Sequence, residues 1–177
     1  MCCKISAKSN ICCADIALLI AVLASKICDN YIVYTFDDKI YQVTFSSKGG
    51  IIDTALHIPV NGGSTNCALP MFEMVDKGIK ADRLIMLSDN EINRQYQYGG
   101  FGTKPVQSLA DEYRRKVNPD LWVHAIDLQG YGTQQFIGKN TNIIAGWSES
   151  VLEFISLAEQ GIDMQVNRIE NYSLSSE

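Results

Sequence analysis

The sequence predicts an α/β protein built on an open, mostly parallel β-sheet with helices on both faces. The segment 83–88 is almost continuously apolar, as expected for a strand that a parallel sheet buries on both faces. Apolar strands alternate with amphipathic helices along the chain, which is the pattern of βαβ units. With 177 residues, of which 46% are apolar, the chain is long enough for one domain but not for two.

The first predicted element is a helix over about residues 10–28. Ser9 or Asn10 can cap it, and Asp15 falls in an early turn, where the helix dipole favours a carboxylate. The apolar part of this helix superficially resembles a signal peptide, but its roughly 14 residues are too few to span a membrane and Asp15 would interrupt them. We therefore expect a buried helix in a cytoplasmic protein that has no contact with a membrane.

The remaining elements follow from periodicity and turn residues. Two neighbouring strands joined by a short acidic turn predict a hairpin, and the later strands and helices alternate. The domain is expected to cover residues 1–160, with a polar tail over 161–177. Strands are predicted at 31–36, 40–45, 83–88, 121–126 and 142–146, helices at 67–77, 105–117 and 148–158, and a short helix or extended run at 51–58.

Charge and cysteine content argue against a basic RNA-binding surface and against a zinc site. Fifteen Lys and Arg against twenty Asp and Glu give a net charge of −5, which disfavours a basic RNA-binding surface. The six cysteines include two adjacent pairs, a spacing that is typical of free thiols in a reducing cytoplasm and matches no known zinc pattern. Cys12, Cys13 and Cys67 are expected to act as small core side chains.

Two segments place oxygen ligands where an open sheet binds its ligands, at the carboxyl ends of its strands. The first segment contains Thr65 and directly precedes a helix, and the second contains Asp89 and directly follows the buried strand. Hydroxyl and carboxylate oxygens suit Mg²⁺ or Mn²⁺. Each segment alone is more often simply a turn or a helix cap.

Other catalytic patterns receive less support. The chain has no Gly-x-Gly-x-x-Gly after a strand, no phosphate-binding lysine loop and no Gly-x-Ser-x-Gly elbow. A hydrolase that uses Cys67 or Asp89 together with His124 is a third interpretation. No spacing brings His124 towards Cys67, so a structural histidine is favoured.

Three motifs resemble the von Willebrand factor A (vWA) domain of the TROVE proteins, the family of the Ro ribonucleoprotein autoantigen. They are Gly-Gly-Ser-Thr-Asn-Cys-Ala-Leu-Pro-Met at 62–71, Leu-Ile-Met-Leu-Ser-Asp-Asn-Glu at 84–91, and Pro-x-x-x-Leu-x-x-Glu-Tyr-Arg-Arg-Lys at 105–116. The resemblance extends to about Leu157. It implies a Rossmann-like sheet with a metal-ion-dependent adhesion site (MIDAS), in which Thr65 and Asp89 would be metal ligands.

The resemblance also implies that the metal site lacks one of its loops. The family's Asp-x-Ser-x-Ser loop and the strand before it have no counterpart in this sequence. Met1 falls where the family has the residue just after that loop. The absent strand would be the first and central one, between those at 31–36 and 84–88, so we expect an apolar gap or a rearranged sheet. A Mg²⁺ or Mn²⁺ site with one carboxylate and one hydroxyl would be incomplete, since such ions take about six ligands.

These observations lead to a non-enzymatic binding domain with a remnant metal site at Thr65 and Asp89, which would bind a protein partner or a small acidic ligand. The alternative is a subunit or fragment of an RNA-quality-control ribonucleoprotein. In that case small non-coding or misfolded RNA would be bound only through the family's separate ring domain, which has no counterpart in this chain.

Overall fold

The computed structural model describes residues 4, 8–45, 49–59, 66–89, 105–130 and 136–172. Two compact units divide the chain, residues 1–146 and residues 147–177. The described elements are α1 (Cys13–Ile27), β1 (Val33–Phe36), β2 (Ile40–Val43), α2 (Ile51–Leu56), α3 (Ala68–Asp76), β3 (Arg83–Ser88), α4 (Val106–Lys116), β4 (Trp122–Asp127), β5 (Thr141–Ala145), α5 (Val151–Glu159) and α6 (Ile162–Glu170).

The strands form two separate sheets in the first unit. Strands β3, β4 and β5 make a parallel sheet in that order, and β1 and β2 make an antiparallel hairpin. The predicted α/β class and the hairpin are both confirmed. The single open sheet of the prediction is interrupted between β1 and β3, because no described strand joins the two sheets.

Helix α1 begins three residues later than predicted. Its N-cap is Cys12, whose backbone N–H donates to Oδ2 of Asp15 at 2.8 Å. The expectation that Ser9 or Asn10 caps the helix is therefore wrong, whereas Asp15 does lie in the first turn. The carboxylate of Asp15, three residues after the N-cap, accepts a backbone N–H that has no partner within the helix. This contact fixes the start of the helix at Cys13.

Two clusters of buried side chains lie on different helices in the described part of the first unit. Helices α3 and α4 pack on β3 and β4 through a cluster that includes Met71, Met86 and Val123, and Phe36 of β1 packs against it. Helix α1 packs on α2 through Leu18 and its neighbours, and this second cluster also takes Val43 of the hairpin. The hairpin thus contributes side chains to both clusters.

Between β1 and β3 lies a cavity of about 940 Å³, which we call the inter-sheet cavity. All residues of β1 and all residues of β3 line it, together with the inner side of α1 and with Pro70 and Met74 of α3. The apolar gap expected between the strands at 31–36 and 84–88 is present at this position.

The cavity explains why burial of β3 differs from the prediction. Met86 and Ser88 are buried, but Leu84, Ile85 and Leu87 are only partly buried. The expectation of a strand buried on both faces along its length is wrong, because one side of β3 opens onto the inter-sheet cavity rather than onto another strand.

The cysteines divide by position. Cys13 and Cys67 are buried, as expected. The prediction that Cys12 is also a core residue is wrong, because Cys12 is only half-buried at the start of α1. None of the four cysteines in the described part of the chain is joined in a disulfide.

Helix α4 is attached to the sheet by two side chains of its last turns. The hydroxyl of Tyr113 donates to the carbonyl of Ile79 at 2.6 Å and accepts from the N–H of Ala81 at 2.8 Å. The guanidinium of Arg114 donates to the carbonyl of Leu121, which directly precedes β4. The motif at 105–116 therefore has a structural role.

Arg114 connects α4 to the start of β4 and β5, and we expect lysine to replace it poorly. Its guanidinium donates to the carbonyls of Leu121 (3.3 Å) and Asn140 (3.2 Å) and to Oγ1 of Thr141 (3.2 Å). Arg114→Lys should lower the free energy of unfolding by about 1–2 kcal/mol, because a single ammonium cannot span these acceptors. Urea titration measures this, and a loss no larger than that of the exposed Arg115→Lys control would contradict it.

The second unit contains α5 and α6, which contact each other. Gly161 separates them with φ of +95°, a backbone conformation that favours glycine. Helix α6 lies within the segment predicted as a polar tail, so part of that segment is helical. The division at residue 160 stays a prediction.

Candidate functional site

The carboxyl edge of the parallel sheet carries two buried carboxylates. Asp89 directly follows β3, Asp127 is the last residue of β4, and each side chain is 1% exposed. Ser88 pairs with Asp127 in the parallel register, and the N–H of Leu128 donates to the carbonyl of Ser88 at 2.8 Å. The predicted site residue Asp89 therefore lies beside a second acidic residue that sequence reasoning missed.

Asp127 organises the loop after β4. Its Oδ1 accepts the N–H groups of Gln129 at 3.1 Å and Gly130 at 2.9 Å, so the carboxylate closes a tight turn. Gly130 has φ of +72°, which this turn requires and glycine tolerates. An Asp at the end of an apolar strand was the available signal, and it is the same signal that singled out Asp89.

The other predicted metal ligand, Thr65, lies outside the described residues. The described chain resumes at Asn66, whose N–H donates to the carbonyl of Asp37, just after β1, at 3.1 Å. The side-chain oxygen of Asn66 accepts the N–H of Ala68 at 3.1 Å and so caps the first turn of α3. The start of α3 is thereby fixed to the end of β1.

The described residues do not form a complete cation site. Within the ranges that the structure covers, no group of three His, Cys, Asp or Glu side chains is placed to hold a metal ion. Asp127 already accepts two backbone N–H groups, and Mg²⁺ requires near-octahedral oxygen coordination. The described residues alone therefore do not supply the oxygen ligands that Mg²⁺ or Mn²⁺ takes, and the metal role of Asp89 stays a prediction.

The alternative pair of Cys67 and His124 is separated by the sheet. Cys67 packs in the same cluster as Val123, which precedes His124 on β4. Because successive side chains of a strand point to opposite faces, His124 lies on the other face. There its ring stacks on Trp122 at 5.7 Å between centroids and its Nδ1 lies 3.4 Å from Nδ2 of Asn142. This arrangement does not form a nucleophile–base pair.

The parallel sheet, its flanking helices and the acidic carboxyl edge define an α/β module of the vWA type. The crystal structure of the Ro (RSR) protein of Deinococcus radiodurans has the same fold, with a TM-score of 0.69 and 13% identity. The match covers 90% of this chain and 32% of that one, so the chain spans about a third of that protein's length.

The family model described as the Ro60 vWA domain matches residues 1–156, and the chain belongs to this family. The resemblance to the TROVE/Ro vWA domain is thus confirmed. A comparison with curated proteins found no match. None of the helices in the described ranges combines the length and apolar character that a membrane span needs.

Proposed function

We propose that this chain is a non-enzymatic binding module that contacts its partner at the carboxyl edge of the parallel sheet. The observation that carries the proposal is the position of Asp89, buried at that edge beside the end of β4. In open parallel sheets this edge is where ligands bind. A protein partner or a small acidic ligand is the class that the family resemblance favours.

The non-enzymatic character rests on the separation of the candidate catalytic groups. Cys67 and His124 lie on opposite faces of β4, so neither can activate the other across hydrogen-bond distance. Asp127 is engaged with its own turn. The carboxyl edge therefore offers recognition by fixed polar groups rather than a positioned nucleophile and base.

We propose that this module retains only a remnant of a divalent-metal site at Thr65 and Asp89. Of the two predicted ligands only Asp89 lies among the described residues, and the neighbouring Asp127 accepts hydrogen bonds within its own turn. A cation that takes about six oxygen ligands would then be held weakly.

Titration with Mn²⁺ tests this part of the proposal. We expect no saturable binding tighter than about 1 mM, and Asp89→Asn should give the same isotherm as the unchanged chain. The matched control is Asp53→Asn, which alters an exposed carboxylate on α2. Micromolar affinity that Asp89→Asn abolishes and Asp53→Asn leaves intact would contradict it.

As the second candidate, membership of the Ro family favours a role within a ribonucleoprotein. We do not assign the RNA contact to this chain, because its net charge of −5 opposes binding to a polyanion. The RNA-binding part would lie in a separate ring domain, and this module would supply a protein-binding surface. The cytoplasm stays the compartment that the cysteine pattern predicts.

A further inference from the structure

We propose that the outer edge of β5 is a self-association surface, to which a second copy of this chain adds its own β5 in the antiparallel direction. The parallel sheets of the two copies would then continue into each other across a two-fold axis. This surface lies along the side of the sheet and is distinct from the carboxyl edge of the proposed function. The proposal rests on the backbone groups, the exposed side chains and the charge of β5.

The inner side of β5 is paired with β4. The N–H of Val123 donates to the carbonyl of Asn140 at 2.9 Å. At the other end of the strand, the N–H of Gly146 donates to the carbonyl of Asp127 at 2.7 Å. Even-numbered residues of this segment therefore direct their backbone groups to β4.

The odd-numbered residues of β5 form the outer edge. In a parallel ladder, alternate residues direct their N–H and C=O groups to opposite sides of the strand. Those of Thr141, Ile143 and Ala145 consequently point away from β4, and among the described strands β5 is the last one on this side of the sheet. Such an edge is a template for the addition of another strand.

The face of β5 that carries Ile143 is more open than the same face of β4. Paired residues of adjacent strands share a face, and Ile143 pairs with Ala125 of β4. Ala125 packs against the cluster that α3 and α4 form on the sheet, whereas Ile143 is 42% exposed and Ala145 is also exposed. A strand added beside β5 would therefore meet an accessible apolar side chain at the centre of the edge.

The sequence of β5 carries none of the features that keep edge strands apart. Residues 140–148 include no charged residue and no proline, and three of the five strand residues are β-branched. Strand β2 of the hairpin differs, because it directly follows Asp37, Asp38 and Lys39. Since charges and prolines are the usual protection of an edge strand, the edge of β5 is the one built for contact.

A second copy fits this edge because β5 is complementary to itself. Antiparallel pairing centred on Ile143 places Thr141 of each copy opposite Ala145 of the other, and the two Ile143 side chains opposite each other. In this register the outward N–H and C=O groups of all three residues exchange hydrogen bonds. The cross-strand isoleucine pair adds an apolar contact.

Charge selects the antiparallel direction and a folded occupant completes the argument. The exposed Lys139 lies two residues before β5, so antiparallel pairing holds the two lysines at opposite ends, whereas parallel pairing would bring them together. The β5 of a second copy is already an ordered strand, and its addition avoids the ordering cost that a disordered peptide pays. The pair is closed by its two-fold symmetry, because each copy has one such edge on β5.

The length of the strand predicts a weak dimer. Five residues span about 17 Å at roughly 3.3 Å per residue. Stable complexes bury roughly 1,200–2,000 Å², and one pair of short strands buries less. We therefore expect a dissociation constant of about 0.1–1 mM.

Sedimentation equilibrium of the full chain from about 10 µM to about 2 mM tests the proposal, and the average mass should rise towards twice that of one chain. Amide hydrogen exchange at the two ends of this range locates the contact. We expect slower exchange at Thr141, Ile143 and Ala145 in the concentrated sample. Asn142 and Ile144 should not change, because their amides already bond to β4.

Two matched lysine variants separate this edge from other apolar surfaces. Ile143→Lys places two like charges opposite each other and should weaken self-association at least about tenfold. Ile52→Lys makes the same change at a residue of α2 that is 68% exposed, and it should leave the dissociation constant within about twofold. Thermal melting of each variant confirms that it folds.

A charge-reversed pair tests the register. Ile143→Glu alone should weaken association as Ile143→Lys does, whereas an equimolar mixture of the two variants should associate at least about fivefold more tightly than either alone. Three results would overturn the proposal: a mass that stays constant up to the highest concentration, equal weakening by Ile143→Lys and Ile52→Lys, and a mixture that associates no better than its components.

Discussion

Replacing Met71 with alanine is expected to lower the free energy of unfolding by about 2–5 kcal/mol, the largest single effect that we predict. Met71 is fully buried in the cluster that α3 and α4 form on the parallel sheet. Truncation removes apolar contacts and leaves a cavity that the sheet and two helices cannot close. Urea unfolding followed by circular dichroism measures the change.

The control lies one residue further on the same helix. Phe72 is 46% exposed, so Phe72→Ala should cost much less than Met71→Ala although it removes a larger side chain. Equal losses for the two variants would show that α3 does not pack on the sheet through the face containing Met71.

Tyr113→Phe is expected to cost about 1–3 kcal/mol, because the missing hydroxyl leaves the carbonyl of Ile79 and the N–H of Ala81 without their partner. The variant should also change the response to alkaline pH. Burial raises the pKa of Tyr113 above its usual value of about 10. The neutral phenol is therefore favoured in the folded state.

The sign of the pH effect follows from that raised pKa. The stabilising contribution of Tyr113 is fully present below the unfolded pKa and is lost as the pH rises through the folded pKa. Between pH 9 and 11, on either side of the ordinary tyrosine value of about 10, unfolding free energy should fall more steeply in the unchanged chain than in Tyr113→Phe. The exposed Tyr172→Phe should keep the steeper fall, and identical slopes for all three proteins would contradict the prediction.

Local sequence patterns predicted those elements whose stability comes from nearby residues. The strand at 83–88 has the predicted bounds because its apolar run ends at a polar edge, and the hairpin follows from two β-branched runs around an acidic turn. The start of α1 differs from the predicted one because the carboxylate of Asp15, in the first turn, accepts the N–H of the N-cap residue Cys12.

Features that depend on long-range pairing were harder to predict. The resemblance to the family, rather than periodicity, indicated the gap beside β3, and its consequence for the burial of Ile85 and Leu87 required the structure. Asp127 was missed although it also ends an apolar strand, because sequence alone does not show that β4 pairs with β3 and brings the end of β4 beside Asp89. The metal role of Asp89 stays a prediction.

Amide hydrogen exchange of β3 in the free chain tests the central claim, an interrupted sheet with an open strand edge, most directly. The N–H of Trp122 donates to the carbonyl of Asp82 and that of Leu128 to Ser88, so even-numbered residues of this segment bond to β4. We expect the amides of Leu84 and Met86 to exchange at least about tenfold more slowly than those of Ile85 and Leu87, which face the inter-sheet cavity. Equal, slow exchange at all four amides would contradict it, because β3 would then be paired on both sides.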